Sequence, residues 1–316
     1  MKNKKALILG ISGQDGSYLA KYLLDKNYHV FGITRKKSNL NNLSSLEIKK
    51  KVKLYNSGYY DYEKLKQIIQ KNNIEEIYFL AGQTKPVISS YLFYETIYSN
   101  LVPVYYIIDI ILKTNKKIRF FNSASCEIFK NTKNKLKENS KKHPDSIYGL
   151  SKLLSYKIVK FFRQKYKLRI CSGIMFHHES KLRDKSFVLR KIIVLAKEIY
   201  QKKRKKIKIG NINVTRDWGW APEYVKLIHK LNNQKNIEDI IIATGKSYKL
   251  KDLINKIFKY YNLNWLDHIQ VDKALVRKND AIIRKANNNK IKKKMSWEPK
   301  NDASQIILKL IKNQLY

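Results

Sequence analysis

Ser125 is followed two residues later by Glu127, and Tyr148 and Lys152 stand in the spacing Tyr-x-x-x-Lys. One short stretch thus carries a hydroxyl, a carboxylate, a phenol and an amine, the groups of redox and proton-transfer chemistry. The carboxylate points to elimination as well as redox. Residues four apart on a helix share a face, so Tyr148 and Lys152 point together if residues 146–166 are helical. Ile147, Leu150, Leu153, Leu154, Ile158, Val159, Phe161 and Phe162 recur at helical spacing. That pattern predicts a helix that buries one apolar stripe and leaves the polar pair near its edge. A tyrosine alone is a poor base, with an unperturbed pKa of ~10; an ammonium beside the phenol favours the phenolate. The spacing also arises by chance on exposed helices, so the surrounding elements decide the reading.

Residues 5–9 read as a short buried strand, followed by Gly10-Ile11-Ser12-Gly13-Gln14-Asp15-Gly16 and an amphipathic run through Leu19, Tyr22, Leu23 and Leu24. Strand, glycine loop and helix in that order suit a nucleotide. The glycines allow tight turns and close approach of a pyrophosphate, and the helix N-terminus offers free N–H groups. A plain glycine-rich turn is the alternative. The next strand, 29–34, should end at the ribose of a dinucleotide, where a carboxylate would bind the 2′-hydroxyl of NAD. Instead Arg35, Lys36, Lys37 and Ser38 follow, a cluster suited to a 2′-phosphate, so NADP is expected over NAD. Lysine is abundant everywhere, so Arg35 carries most of that inference. A strand at 77–80 leads into Leu80, Ala81, Gly82, Gln83 and Thr84, and one at 119–122 leads towards Ser125. Strands alternating with helices predict an α/β fold, a Rossmann-type doubly wound parallel sheet with its site at the strand C-terminal ends.

A cofactor-binding domain over residues 1–176, with returning elements at about 215–245, and a smaller C-terminal α/β substrate-binding domain over 177–316 are expected to interleave. Residues 181–184 and the lysine run 201–208 read as loops, and 240–243 as a returning strand. The chain has 66 Lys and Arg against 25 Asp and Glu, a net charge of +41. Such a charge attracts polyanions. No nucleic-acid-binding motif accompanies it, and Lys, Asn, Ile and Tyr are enriched along the whole length, so compositional drift is preferred to a nucleic-acid partner. Cys126 and Cys171 lie far apart without metal-ligand spacing, which suggests neither a disulfide framework nor a zinc site and fits a reducing cytoplasm. The apolar run at 6–9 is too short for a signal segment, and no later stretch would span a bilayer.

Taken together, Gly10 to Gly16, Ser125 with Glu127, Tyr148 with Lys152, His178-Glu179-Ser180, Arg216-Asp217-Trp218-Gly219 and Trp297-Glu298-Pro299 resemble the extended short-chain dehydrogenase/reductases. Within them they are most similar to the GDP-mannose 4,6-dehydratase branch. Glu127 discriminates best, because similar epimerases keep the hydroxyl residue, Tyr and Lys but generally lack this carboxylate. The resemblance implies that Tyr148 deprotonates the sugar 4-hydroxyl during oxidation at C4, with Lys152 tuning the phenol and Ser125 bonding the same oxygen. Glu127 then removes the C5 proton and assists loss of the C6 hydroxyl as water. The hydride returns to C6, so the net reaction is redox neutral and NADP stays bound.

By the same resemblance, Gly10 to Gly16, Arg35 to Ser38, Leu80 to Thr84, Tyr148, Lys152, His178 and Arg183 should meet the cofactor. Glu179, Ser180, Arg190, Lys191, Arg216 and Arg277 should meet the nucleotide sugar, fixed guanidinium groups suiting diphosphate oxygens. A homodimer or homotetramer formed through helices of the nucleotide domain is implied as well. Trp218 and Trp220 read equally as core, and His177-His178-Glu179 is not expected to bind metal, since adjacent side chains diverge. Gly58 stands where the family has an aspartate near the adenine. Two further readings stay open: a nucleotide-sugar 4-epimerase or 4-reductase on the same scaffold, and a nucleotide- or RNA-binding protein without chemistry.

Overall fold

The computed structural model describes residues 3–35, 39–58, 61–83, 90–276 and 281–316. In chain order its first elements are β1 (Lys5–Leu9), α1 (Gln14–Leu24), β2 (His29–Thr34), α2 (Asn41–Ser45), β3 (Lys53–Asn56), α3 (Tyr62–Lys71), β4 (Glu76–Phe79) and α4 (Ser90–Lys113). Next come β5 (Arg119–Ser125), a single 3-10 turn (Cys126–Ile128), α5 (Ile147–Tyr166), β6 (Ile170–Met175), β7 (His177–Glu179), α6 (Val188–Tyr200), β8 (Ile207–Ile209) and β9 (Thr215–Trp220). The remainder is α7 (Ala221–Asn232), β10 (Ile240–Ile242), β11 (Ser247–Lys249), α8 (Leu250–Tyr260), β12 (Ile269–Val271), β13 (Ile283–Arg284), α9 (Asn289–Met295) and α10 (Ala303–Ile311).

The chain forms two compact units, and both are discontinuous in sequence. Unit 1 is 1–130, 141–175 and 224–242; unit 2 is 131–140, 176–223 and 243–316. Unit 1 holds a seven-stranded sheet in the order β10-β6-β5-β4-β1-β2-β3, with every pairing parallel. The doubly wound α/β fold expected from the alternating pattern is therefore present. Parallel strands covered on both faces read as continuous apolar runs, as in Ala6-Leu7-Ile8-Leu9 and Ile240-Ile241-Ile242, all fully buried. Leu7, Ile77, Phe79 and Phe120 anchor the core on one side of this sheet, with Val104, Ile107 and Ile111 of α4 packed on them. Strand order reverses beside β1, which puts a switch point at its C-terminal end, where the glycine loop begins.

Some boundaries move. The strand expected at 119–122 continues to Ser125, because β6 pairs alongside it as far as Ser125 opposite Met175. The lysine run 201–208 is not all loop: Ile207 begins β8, paired in parallel with β12, and the inward side chains Ile207 and Ile209 are buried while Lys208 faces out. Both stretches expected as inter-domain loops lie inside unit 2.

α5 departs from the expected burial. Its inward face carries Gly149, Ser151, Lys152, Leu153, Ser155, Tyr156 and Val159, whereas Leu150 and Phe161 are exposed at 37% and 53%. Small residues let the helix axis approach β5 and β6 closely. The Ser151 and Ser155 hydroxyls donate to the carbonyls of Tyr148 and Lys152, so their burial leaves no hydroxyl hydrogen unsatisfied. Apolar periodicity marked the helix but not its buried side.

Unit 2 is built on β9, which pairs with β11 antiparallel and with β7 and β13 in parallel. α6, α8 and α10 supply a separate core in which Ile192, Leu253, Ile257 and Ile306 meet Trp218 and Trp220. The two tryptophans are core residues.

Candidate active site

The first turn after β1 is shaped by what a side chain would strike. Gly10 has φ +89, and a Cβ there would lie 2.9 Å from the Leu80 carbonyl and the Ala81 nitrogen. A Cβ on Gly16 would fall 2.1 Å from the Gly10 oxygen, so the first turn of α1 sits directly on the loop. Gly13 is the N-cap of α1, and its N–H donates to Gly10 O at 3.0 Å. The Ser17 hydroxyl donates to Ile11 O, and Asn42 Nδ2 donates to Ser12 O. Gln14 is buried and donates to the Asp15 carboxylate. The result is a bare, fixed backbone cradle at a helix N-terminus, a shape that fits a dinucleotide pyrophosphate.

The segment after β4 is equally constrained. Gly82 has φ +119 and packs on Asn100, whose Nδ2 donates to Gln83 O; Ser99 Oγ accepts from Gln83 N. Leu80, Ala81, Gly82 and Gln83 thus stand beside the loop at Gly10. Arg35, just beyond β2, is exposed with one nitrogen 4.0 Å from Glu95. Lys36, Lys37, Ser38, Thr84 and Arg277 lie outside the described residues.

The four chemical side chains of unit 1 gather where β5 ends and α5 begins. Ser125 Oγ accepts from the Glu127 N–H at 3.2 Å, capping the 3-10 turn that carries the carboxylate. Ser146 caps α5 by accepting from Gly149 N at 3.0 Å. Gly149 then lies so close to the Glu127 main chain that a Cβ would be 2.5 Å from its oxygen. This approach holds the Glu127 turn against the Tyr148 end of the helix. Lys152 Nζ lies 6.0 Å from the Tyr148 ring centroid and 5.8 Å from that of Phe79, and donates to Ser123 O at 3.0 Å. Burial lowers the Lys152 pKa to about 8, which still leaves the amine mostly protonated at pH 7. Cys126 is buried between the two candidates, with Sγ 3.8 Å from Glu127 Oε1.

Unit 2, described by itself, carries the other residues named from the sequence. His178 Nδ1 donates to Phe176 O at 2.7 Å, because a carbonyl can only accept, so Nδ1 carries a hydrogen. Glu179 and Ser180 are buried, and Ser180 Oγ accepts from Leu182 N. Arg183 stacks on Phe187, its guanidinium carbon 3.5 Å from the ring centroid. Arg190 is buried in the first turn of α6, while the adjacent Lys191 turns to a half-buried position. Arg216 is buried on β9 and donates to Thr215 O and Ile282 O. His177 sits among these cations: burial first, then Arg216, Arg183, His178 and Arg284, hold its pKa well below the usual imidazole value.

Sequence reasoning did not single out Ser123, Gly149, Asn100 or Arg284. The glycine after Tyr148 was a visible signal, since glycine in the first turn of a helix costs stability unless close packing needs it. Arg284 had none: it is fully buried and stands opposite Arg216 in the β13–β9 register. Among the described residues no three His, Cys, Asp or Glu side chains are grouped to hold a metal, and no helix is long and apolar enough to cross a membrane.

A parallel sheet that reverses at a glycine cradle, with Tyr-x-x-x-Lys on the helix beside the fifth strand, defines a Rossmann-type protein of the short-chain dehydrogenase/reductase kind. Solved structures share this fold. A dTDP-glucose 4,6-dehydratase from Bacillus anthracis in complex with NAD superposes with a TM-score of 0.86 at 18% identity, covering 98% of this chain and 96% of that one. RMD from Pseudomonas aeruginosa complexed with NADPH gives 0.81 at 15% identity, covering 98% and 99%. A sequence model described as GDP-mannose 4,6 dehydratase matches residues 7–310. GDP-mannose 4,6 dehydratase 1 of Arabidopsis thaliana is 31% identical over 324 residues, 99% of this chain and 90% of that protein. The chain belongs to the GDP-mannose 4,6-dehydratase family.

Proposed function

We propose that this protein is an NADP-dependent lyase that converts GDP-mannose into GDP-4-dehydro-6-deoxy-mannose and water. The observation that carries the reading is Glu127, held by Ser125 in a single 3-10 turn at the end of β5 and packed through Gly149 against the helix of Tyr148 and Lys152. Tyr148 as phenolate takes the proton of the sugar 4-hydroxyl, and Ser125 donates to the same oxygen. The buried ammonium of Lys152 stabilises the phenolate charge. A C4 ketone makes the C5 hydrogen acidic, so Glu127 takes that proton and gives it to the departing C6 hydroxyl, which leaves as water. A nicotinamide, when bound, would supply the hydride chemistry, taking hydride from C4 and returning it to C6. C5 then regains a proton, matched by the one Tyr148 took from the 4-hydroxyl, which restores the phenolate.

For the cofactor, Gly10, Ile11, Ser12, Gly13, Gln14, Asp15 and Gly16 would hold the pyrophosphate, and Leu80 to Gln83 the neighbouring ribose. Arg35 supports NADP over NAD: an exposed guanidinium stands at the end of β2, where NAD-binding chains place an acid. Replacing Arg35 with Ala should shift the ratio of NADP to NAD affinity towards NAD at least tenfold, as read by cofactor titration. On the substrate, Arg190, Lys191 and Arg216 would meet the diphosphate, with Glu179 and Ser180 nearer the sugar.

The reading includes a homodimer or homotetramer in the cytoplasm. Tyr94, Tyr105, Leu150 and Phe161 on α4 and α5 are 63%, 46%, 37% and 53% exposed, an apolar surface suited to a second copy. Light scattering after chromatography would read the assembly, and a Tyr105→Ser/Phe161→Ser variant should dissociate it.

The decisive experiment incubates purified protein and NADP+ with GDP-mannose and follows the product by NMR and mass. Loss of one water with a C4 carbonyl and a C6 methyl supports the proposal. An epimerised product of unchanged mass would select the 4-epimerase reading, and no turnover despite tight NADP binding would move the substrate to another nucleotide sugar.

A further inference from the structure

At the far edge of the unit 1 sheet, β3 and α3 enclose a groove of about 280 Å³. It is remote from the candidate catalytic set. In the order β5-β4-β1-β2-β3 it lies four strands from Ser125, roughly 19 Å at the usual spacing of about 4.8 Å per strand. Lys53 and Tyr55 line it from the strand, and Lys64, Gln67 and Lys71 from the helix. The helix residues follow at i, i+3 and i+7, one stripe along α3.

The floor is rigid. Ile68 and Asn72 are buried, and the Asn72 side chain exchanges hydrogen bonds of 2.9 and 3.1 Å with the Tyr55 hydroxyl. Lys53 Nζ rests 5.7 and 5.9 Å from the ring centroids of Tyr55 and Phe31. Nearby lysines have carboxylate partners: Lys66 with Glu63 at 3.9 Å and Lys113 with Asp109 at 2.9 Å. Among the described residues, the ammonium groups of Lys53, Lys64 and Lys71 have no carboxylate within 4.0 Å, the Asp61 carboxylate being taken up by the Lys64 backbone N–H, and the groove lining includes none.

Lysines on a sheet edge often serve only to block pairing with other strands. That explains Lys53, which belongs to the edge strand, but not Lys64 and Lys71, which are on the helix and turn to the same concavity. Like charges lining one groove repel one another, and an anion bound among them relieves that cost. The volume is close to the lower limit of small-ligand pockets, about 300 Å³, and favours a compact ligand over a polymer.

We propose that this groove is a second anion site that takes a phosphorylated small molecule. Its phosphate oxygens would accept from Lys53, Lys64 and Lys71 and from the Gln67 amide. The proposal does not depend on the dehydratase reading.

The test is calorimetric titration of inorganic pyrophosphate into the full-length, NADP-loaded protein, comparing wild type with a Lys64→Ala/Lys71→Ala variant. The double substitution is on the surface and should leave the melting temperature unchanged. A Lys53→Glu variant supplies an independent charge reversal. Expected are a binding event in wild type that each variant weakens at least tenfold and unchanged turnover in the absence of pyrophosphate. Identical isotherms for all three proteins would overturn the site. So would a site that ignores pyrophosphate yet binds single-stranded RNA in a way both variants abolish, since the occupant would then be a polymer.

Discussion

Lys152 Nζ lies 3.0 Å from the main-chain oxygen of Ser123, so the amine proposed to tune Tyr148 is fixed to the strand that ends in Ser125. Helix and strand are thereby locked in register at the chemical end of the sheet. Burial lowers the Lys152 pKa to about 8 from an ordinary 10.5. The unfolded chain therefore holds more protons between those two values, and stability contributed by this group rises with pH across that window. Below about pH 8 the buried ammonium is a full cost. Lys152→Met should remove that cost, lose the rise in denaturant midpoint between pH 8 and 10.5, and melt no lower than wild type at pH 7. Turnover should fall by at least ~10²-fold. Denaturant curves at several pH values together with product assays check both halves.

Gly149→Ala tests the contact that seats Glu127. The new methyl would meet the Glu127 oxygen at 2.5 Å and the Pro144 ring at 2.8 Å. Backbone cannot yield as a side-chain tip does, so the 3-10 turn must shift. A loss of about 1–3 kcal/mol in stability is expected, the usual cost of overpacking. The rate of product formation should fall at least tenfold while NADPH affinity, read by fluorescence titration, stays within twofold.

Glu127→Gln keeps size and removes the base. If Glu127 takes the C5 proton, the variant should still reduce its bound cofactor on addition of GDP-mannose but release no dehydrated product. Absorbance of reduced cofactor and mass analysis of the sugar read the two steps separately. Undiminished formation of a normal-mass sugar epimer would show that the carboxylate is not needed.

A buried polar knot at the opposite end of the sheet predicts an acid limb in stability. Glu76 accepts from Tyr28, Tyr78 and Asn233, and the Tyr28 hydroxyl lies 3.1 Å from His229 Nε2 on α7. Burial is the largest effect on His229 and lowers its pKa below the ordinary 6.5. The unfolded state thus binds the proton first, and stability present above about pH 6.5 is lost as pH falls towards the lowered value. His229→Gln keeps a polar partner for Tyr28 without the titration. Its urea midpoint should be lower than wild type at pH 7.5, and the difference should shrink at pH 5.

Much of this molecule was determined by local sequence. Strands such as Ala6-Leu7-Ile8-Leu9 are apolar on both faces because helices cover both sides of a parallel sheet. The glycines at 10 and 16 declare a turn that admits no side chain at those positions. Tyr-x-x-x-Lys and the Ser-x-Glu pair suggested the proposed chemistry through residue type and spacing, with the surrounding strand-loop-helix pattern needed to support it. Longer-range facts were not visible in the same way. Which side of α5 is buried was decided by close approach to β5 and β6, which favours Gly149, Ser151 and Ser155 over the apolar stripe with Leu150 and Phe161. The placing of Arg284 opposite Arg216 came from pairing between strands far apart in the chain, and periodicity carries no information about such pairing. The clearing of carboxylates from the groove at Lys64 and Lys71 likewise depends on which neighbours folding brings together. Local backbone preference and hydrophobic period act over a few residues; register, close approach and charge environment arise only when distant segments meet.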